Sequence, residues 1–528
     1  MTITSKKIQK TSKYLDKKIK YDILILKIGK LSNERKGEEK MKKKLLFLMA
    51  AFALFVPSVM AAEITASTDE ELIKAFKDAV TGDTIKLTAD INNHKGDSTS
   101  LYVGSGKEIT LDLNGHDITV DPTWDKAADK PVNRSIVIEN GKLTITGSGT
   151  ITHATHVAVN VWALAEADTG HSTLVVGKDV VLKGENGFAV FQYTDGIGYH
   201  ATVDFYGTVI ATGNGATIQG FIKNGGDVPV VNIKKGAKIS AVGDEAIGIY
   251  GAGSGIWNIE DGVTVESTGT ALGIKSGTYN IAGGTFTSTG TYKANPEVKT
   301  GSMDAGGAAI QLETNNEYYR HIKLNITGGV FTSANGNAVL EYGNGTQSAV
   351  EAINIEDGEF NSAEGKDIFA ISSALETAQA NKVIKINGGT FNNEVNDEYL
   401  DDNKITLVIN AAVTENGETV TESMYTIVVE KGSTLDKEEL EKLLGTTENG
   451  YKLVGYYSDE ELKNKFDFSE EITDNTAIYL SFVKEEAKVE EKNPKTSDMN
   501  LALILTSLGI ASVGTVLVSR RKLAKVNR

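Results

Sequence analysis

Cysteine is absent from the 528 residues and proline occurs only 6 times. The lack of cysteine excludes disulfides, thiolate metal sites and cysteine nucleophiles within the chain. Glycine, in contrast, occurs 54 times, which with so little proline predicts many tight turns rather than a collagen or a proline-rich linker. Hydrophobic residues at 40% and charged residues at 23% exclude both a multi-span membrane protein and a wholly disordered chain.

The net charge of −16 is unevenly distributed. Residues 1–61 carry +10 and residues 497–528 carry +4, which leaves −30 for residues 62–496. Phosphates would be repelled by so acidic a body, so nucleic acid is excluded as a partner. The acidic part suits a soluble extracellular surface.

The region around residues 41–61 has the three parts of a secretory signal peptide in order. A basic start at Met41 precedes an apolar run over 45–56, and small residues follow, so that cleavage after Ala61 and cleavage after Ala62 fit equally well. A signal normally starts at its own methionine. We therefore interpret residues 1–40 as an upstream extension that is not part of the translated protein.

The C-terminal end has the order of a cell-wall sorting signal. An apolar stretch over 501–518 is long enough to span a bilayer, and a basic tail follows it within the segment 498–528. The five residues upstream resemble the sorting motif of Gram-positive surface proteins, Leu-Pro-x-Thr-Gly, in its Asn-Pro variant: Asn493, Pro494, Lys495, Thr496 and Ser497. The resemblance implies that a sortase cuts after Thr496 and joins the chain to a cell-wall amine. The alternative is a plain membrane anchor.

The first mature residues predict a helical cap. Thr68 and Glu71 have the spacing of a capping box, apolar residues then recur at helical spacing, and an alternating strand begins at Ile85. A helix there would cover the open edge of a sheet stack.

The body of the chain repeats a short unit in which Asn-Ile precedes a glycine turn and a second apolar strand. The units begin at Asn232, Asn258, Asn280, Asn325 and Asn354, and a variant contains Ile386. Two short strands per unit, too small to bury a core alone, predict stacked coils of a parallel β-helix. The 45-residue step from Asn280 is interpreted as two coils, and the repeated asparagines as an internal ladder.

This architecture resembles the pectin-lyase-like right-handed β-helix superfamily of bacterial surface proteins. The resemblance implies an all-β fold over residues 62–403 and is more informative about fold than about function. A β-propeller or a sandwich is the alternative fold.

No catalytic, cofactor or metal site is predicted on the coils. The motifs of polygalacturonase-like members are missing from the sequence, and His153 and His156 are interpreted as surface histidines. The insertions are the candidate binding loops, because loops on a rigid scaffold often carry binding groups and aromatic rings there can stack on sugars. Their candidate residues are Trp124, Trp162, Tyr318, Tyr319 and Arg320.

Residues 404–485 change character, because the glycine repeats stop and a helical stretch appears at 435–444. The order of motifs that follows resembles the Listeria–Bacteroides repeat, a small β-grasp-like module of bacterial surface proteins. Residues 486–497 form a charged linker that ends in the sorting motif.

The sequence thus predicts a secreted surface protein linked covalently to peptidoglycan by a sortase. The favoured function is non-enzymatic adhesion to a glycan or to a protein of a host or neighbouring cell. A carbohydrate-active lyase or hydrolase and a passive structural rod are the alternatives. The membrane is involved only through the precursor's C-terminal helix.

Overall fold

The computed structural model describes residues 61–94, 100–104, 106–120, 134–164, 171–193, 200–220, 228–315, 321–346, 348–415, 417–444, 447–448 and 451–484. All of them belong to the second of two compact units, 1–60 and 61–528. The predicted signal peptide up to residue 60, the sorting motif and the predicted membrane span lie outside the described residues. Within them, no helix combines the length and the apolar character needed to cross a bilayer.

The repeat region folds into three parallel sheets, called A, B and C, through which the chain passes in turn. Sheet A contains β1 (Glu63–Ala66), β2 (Thr84–Leu87), β5 (Glu108–Asp112), β8 (Lys142–Thr146), β10 (His171–Val176), β12 (His200–Phe205), β15 (Val230–Ile233), β18 (Ile256–Ile259), β21 (Gly277–Ile281), the first halves of β24 (Ile322–Ser333) and β26 (Val350–Asn361), and β28 (Ile384–Ile386).

Sheet B contains β3 (Ile91–His94), β6 (Ile118–Val120), the first halves of β9 (Gly149–Leu164) and β11 (Val180–Tyr193), β13 (Thr208–Ala211), β16 (Lys238–Ala241), β19 (Thr264–Ser267), β22 (Thr285–Ser288), the second halves of β24 and β26, and β29 (Thr390–Phe391).

Sheet C contains β4 (Tyr102–Gly104), β7 (Arg134–Glu139), the second halves of β9 and β11, β14 (Asn214–Gln219), β17 (Ile247–Gly251), β20 (Thr270–Ile274), β23 (Ile310–Thr314), β25 (Val339–Gly343) and β27 (Phe369–Ala370). Each strand bonds to its counterpart in the next coil, as expected of a parallel β-helix. The prediction of an all-β fold with stacked parallel coils is confirmed.

Two details of the predicted coil are wrong. A coil has three strands rather than two, because sheet C supplies a third. The 45-residue step is a single coil, since Ile281 pairs directly with Ile326. The additional residues form one long insertion, 289–309, between β22 and β23.

Apolar side chains that point inward from the three sheets form one continuous core. In sheet B, four phenylalanines on successive coils stack with ring centroids 4.9, 4.9 and 5.2 Å apart: Phe286, Phe331, Phe360 and Phe391. In sheet A, Trp257 stacks on Tyr279 in the same way. Parallel strands in register place like side chains above one another, so each ring removes its neighbour's face from water.

The asparagine ladder exists, but it is not internal. Each amide Nδ2 donates to the Oδ1 of the preceding coil at 2.9 Å along Asn232, Asn258, Asn280, Asn325 and Asn354. Asp204 begins the ladder by accepting from Asn232 at 2.7 Å. The isoleucine that follows each asparagine points into the core, and period-2 alternation therefore turns the asparagine to the outer face of sheet A.

The N-terminal end of the core is covered by helix α1 (Asp69–Asp78). Thr68 accepts from the Glu71 N–H, while Glu71 accepts from the N–H of Ser67, so the predicted capping box forms with the reciprocal bond one residue earlier. Leu72 and Phe76 are fully buried against the first coil. The prediction of a helical cap is confirmed.

The last coil carries helix α2 (Ser373–Ala378) and the 3₁₀ turns Gln379–Asn381 and Asp397–Tyr399. A second apolar core follows, built by β30 (Lys404–Glu415), β31 (Glu418–Glu430), α3 (Lys437–Leu444), β32 (Thr447–Glu448), β33 (Tyr451–Tyr457) and β34 (Thr476–Lys484). Strand order is β31–β30–β34–β33, with β30 and β34 parallel and the outer pairs antiparallel. β31 pairs with β29, and Val428 packs against the coil core.

Candidate binding face on the outer side of sheet C

The long connections from one sheet of the β-helix to another all enter or leave sheet C, whereas residues 67–83, which contain α1, join two strands of sheet A. Connections from sheet A to sheet B between the described strands are short, the longest being 113–117. The connections of six or more residues enter or leave sheet C: 95–101, 121–133, 165–170, 194–199, 220–229, 289–309, 315–321, 344–349, 362–368 and 371–383. Insertions on one side of a rigid scaffold are where binding groups concentrate.

Of the five candidate binding residues, the structure describes only Trp162. Trp162 lies in the sheet C half of β9, half-buried and between two inward residues. Trp124 belongs to the connection 121–133, and Tyr318, Tyr319 and Arg320 to the connection 315–321; these four are outside the described residues. β9 and β23 are five steps apart in sheet C, about 24 Å at the usual strand spacing. Trp162 is therefore not part of one compact site with the β23 connection.

One row of residues on the outer surface of sheet C is buried. Residues that point away from the core along one row are at most 2% exposed: Val137, Asn160, Ala189, Thr217, Tyr250, Gln311 and Leu340. The strands β17, β20 and β23 are buried at every position. Over β17, β20 and β23, the described insertion 289–309 contributes to this burial.

Insertion 289–309 lies across the outer side of sheet C and brings its own apolar contacts. Met303 packs with Ile247, Tyr250 and Ala252. Val298 packs against a second small cluster that includes Leu340 and Tyr342. The insertion is thus bound to sheet C by two small apolar contacts that are separate from the main core.

Gln311 links the insertion to the sheet through its side-chain amide. Its Nε2 donates to the carbonyl of Asp304 at 2.7 Å, and its Oε1 accepts from the N–H of Gly306 at 2.7 Å. The hydroxyl of Thr270 donates to the same oxygen at 2.6 Å. A fully buried amide with these partners fixes the position of residues 304–306.

A charged pair lies beneath the insertion. Lys275 Nζ is 2.6 Å from Glu313 Oε1, and the two side chains are 2% and 0% exposed. Lys275 also donates to the carbonyls of Lys299 and Ser302 in the insertion, and Tyr342 donates to Glu313 Oε2 at 2.8 Å. Burial raises the pKa of the Glu313 carboxyl above its usual value, although the contact with Lys275 acts in the opposite direction. Burial likewise raises the pKa of Tyr342.

A second group of charges lies at the edge of the insertion. Lys293 contacts Glu245 at 2.8 Å and Asp304 at 2.5 Å, and Lys299 is 3.5 Å from Asp304. Burial would raise the pKa of Asp304, but the hydrogen bonds from Lys293 and from the N–H of Glu297 outweigh it and lower the pKa. Asp304 is nearly buried while Lys293 and Lys299 are partly exposed, so water screens these ion pairs only in part.

Lysine, carboxylates and tyrosine therefore converge at one place, as a catalytic or sugar-binding group would require. The pair Lys275 and Glu313 is covered by the insertion, and its side chains, 2% and 0% exposed, have almost no surface to present to a substrate. Sequence reasoning missed this cluster. The sequence there alternates as Ile310-Gln311-Leu312-Glu313. Such alternation ordinarily places the polar residues in water, so the only signal was the presence of Gln311 and Glu313 on the outer face of a strand.

The histidines are not all on the surface. His153 is 1% exposed, so its interpretation as a surface histidine is wrong; its ring lies 5.2 Å from that of His156. His171 and His200, on adjacent coils of sheet A, have Nδ1 and Nε2 3.0 Å apart. Among the described residues, no group of three or more histidine, cysteine or carboxylate side chains could hold a metal ion.

Comparisons of the chain with protein-family models, with curated proteins and with solved structures found no match.

Proposed function

We propose that this chain is a cell-wall-anchored surface protein of a Gram-positive bacterium that binds a glycan or a protein through the sheet C side of its β-helix, without catalysis. The observation that supports binding most directly is that every connection of six or more residues between two different sheets enters or leaves sheet C. The observation that favours binding over catalysis is that the charged group there is covered by the protein's own chain.

We further propose that the coils are right-handed and that residues 404–485 are a β-grasp-like Listeria–Bacteroides repeat. The strand order β31–β30–β34–β33, with a parallel central pair and one helix between the two hairpins, supports the second assignment. Such a module would hold the β-helix away from the anchor. In this proposal the segment 498–528 contains a membrane helix that retains the precursor until the sortase acts.

The anchoring proposal is tested by fractionating cells that express the full chain. Thr496→Ala and Pro494→Ala should leave the chain in the membrane fraction, whereas the unaltered chain should be released only by peptidoglycan hydrolases. Ser507→Ala, in the apolar segment, is the matched control and should not change the fraction. Equal release of all variants by detergent alone would contradict covalent anchoring.

The binding proposal is tested with glycan and protein arrays. For a partner long enough to contact both β9 and the connection after β23, Trp162→Ala and the pair Tyr318→Ala with Tyr319→Ala should each weaken binding at least about tenfold, because aromatic rings supply much of the energy at such interfaces. Lys323→Ala, on the outer face of sheet A, is the control and should bind normally. Binding that is lost with Lys323→Ala and kept with Trp162→Ala would move the partner to the other face.

Catalysis is tested in parallel with a polysaccharide panel, by following new reducing ends and unsaturated uronates. The proposal expects no turnover. Sustained product formation that Glu313→Gln abolishes would replace the binding assignment with a lyase or a hydrolase.

A further inference from the structure

The backbone of Ala62 is bonded to the β-helix at both of its polar groups. Its N–H donates to Asp83 Oδ1 at 2.9 Å, and its carbonyl accepts from the Thr84 N–H at 2.8 Å. Strand pairing begins with the next residue, where Glu63 meets Thr84. Ala62 therefore extends sheet A by one residue. If the leader were cut off after Ala61, the Ala62 nitrogen that donates to Asp83 would be the N-terminus of the mature chain.

Asp83 is a buried carboxylate held by main-chain donors. It is 4% exposed, and its second oxygen accepts from the N–H of Val80 at 2.9 Å. The bond from Val80, followed by the bond from Ala62, lowers the pKa of Asp83. Lys107 also acts on this carboxylate electrostatically, while its own Nζ donates to the Phe76 carbonyl at the end of α1. An ionised and nearly buried group of this kind is best satisfied by a donor that carries a positive charge.

We propose that the Ala61–Ala62 bond is the one cut when the leader is removed, and that the new ammonium of Ala62 forms an ion pair with Asp83. The inference rests on the proposed function, because it requires export by a signal peptide. Hydrolysis adds one water: Ala61 leaves with a carboxylate, and the Ala62 nitrogen becomes an ammonium. A cut after Ala62 would remove both the donor to Asp83 and the acceptor of Thr84.

The position of the cut is tested by the intact mass and the N-terminal sequence of the protein exported from a Gram-positive host that expresses the full chain. We expect Ala62 as the first residue. A chain that begins at Glu63, or further on, would overturn the inference and leave the proposed function standing. A chain that keeps its leader and is not exported would overturn the proposed function instead.

The ion pair is tested on the exported protein by selective acetylation of the α-amine at near-neutral pH, where lysines remain protonated. Acetylation should raise the unfolding equilibrium constant by about tenfold, the effect of losing a charge-assisted bond. In Asp83→Asn it should change the constant by less than about threefold. Asp90→Asn, which alters another carboxylate bonded to a main-chain N–H, is the control and should keep the full effect. An equal effect of acetylation in both variants would overturn the ion pair.

Discussion

The outward polar side chains of sheets A and C find their hydrogen-bond partners in opposite ways. On sheet A, outward asparagines satisfy one another from coil to coil and remain open to water. On sheet C, outward polar groups such as Gln311 and Glu313 are fully buried and are satisfied by the insertion 289–309 and by neighbouring strands. A repeat can stabilise itself with identical residues, whereas a covered face needs partners from elsewhere in the chain. Sheet C is therefore the side on which the coils are individually distinct.

The largest effect that separates the two faces is expected from Glu313→Ala. It leaves Lys275 charged in a closed environment, so the free energy of unfolding should fall by about 3–5 kcal/mol. Urea denaturation measures the change. The double variant Lys275→Met with Glu313→Leu should cost less than Glu313→Ala, since no unpaired charge remains. A double variant as unstable as the single one would show that shape, rather than charge, governs this site.

A smaller loss is expected from Met303→Ala, which removes the apolar contact of the insertion with Ile247 and Tyr250. The cavity should cost about 2 kcal/mol, at the low end for a buried methionine, because the insertion can settle into it. Hydrogen exchange should then accelerate in residues 289–309 and stay unchanged in sheet A. Equal acceleration of exchange in residues 289–309 and in sheet A would mean that the insertion and the coils unfold as one unit.

On sheet A, Asn280→Ala removes two ladder bonds that water can partly replace. We expect a loss of about 1 kcal/mol in the free energy of unfolding. Thr278→Ala, two residues earlier on the same strand and on the same face, is the control and should stay within about 0.5 kcal/mol. A loss as large as that of Glu313→Ala would contradict the contrast between the faces.

The smallest effect on stability is expected from lowering the pH. The pKa of Asp304 is lowered in the folded chain, so its contribution to stability is present above the usual aspartate pKa and is lost as the pH falls through the lower folded value. Residues 289–309 should therefore become more susceptible to an acid-active protease below about pH 4. Asp304→Asn should show no such rise in susceptibility over the same acid range. The same rise in that variant would place the acid-sensitive group elsewhere.

Much of the β-helix could be predicted, because Asn-Ile-x-x-Gly repeats both an inward and an outward position at each turn. The direction of the asparagines could also have been derived, since the buried Ile233 forces Asn232 outward. Strand β17 was missed because its residues, Ile247–Gly251, are buried on both faces and show no alternation. The local sequence could not indicate that the step after Asn280 contains a single long insertion, because the position of residues 289–309 depends on contacts with residues distant in sequence.

The amides of the asparagine ladder all point the same way, each Nδ2 donating to the coil that precedes it in the chain. When the chain appears N-terminus first, the last completed coil therefore has an asparagine Oδ1 without a donor. The next coil to appear brings the Nδ2 that donates to it. The ladder is consequently directional: assembly of the β-helix can follow the order of synthesis or export, with Asp204 supplying the first acceptor.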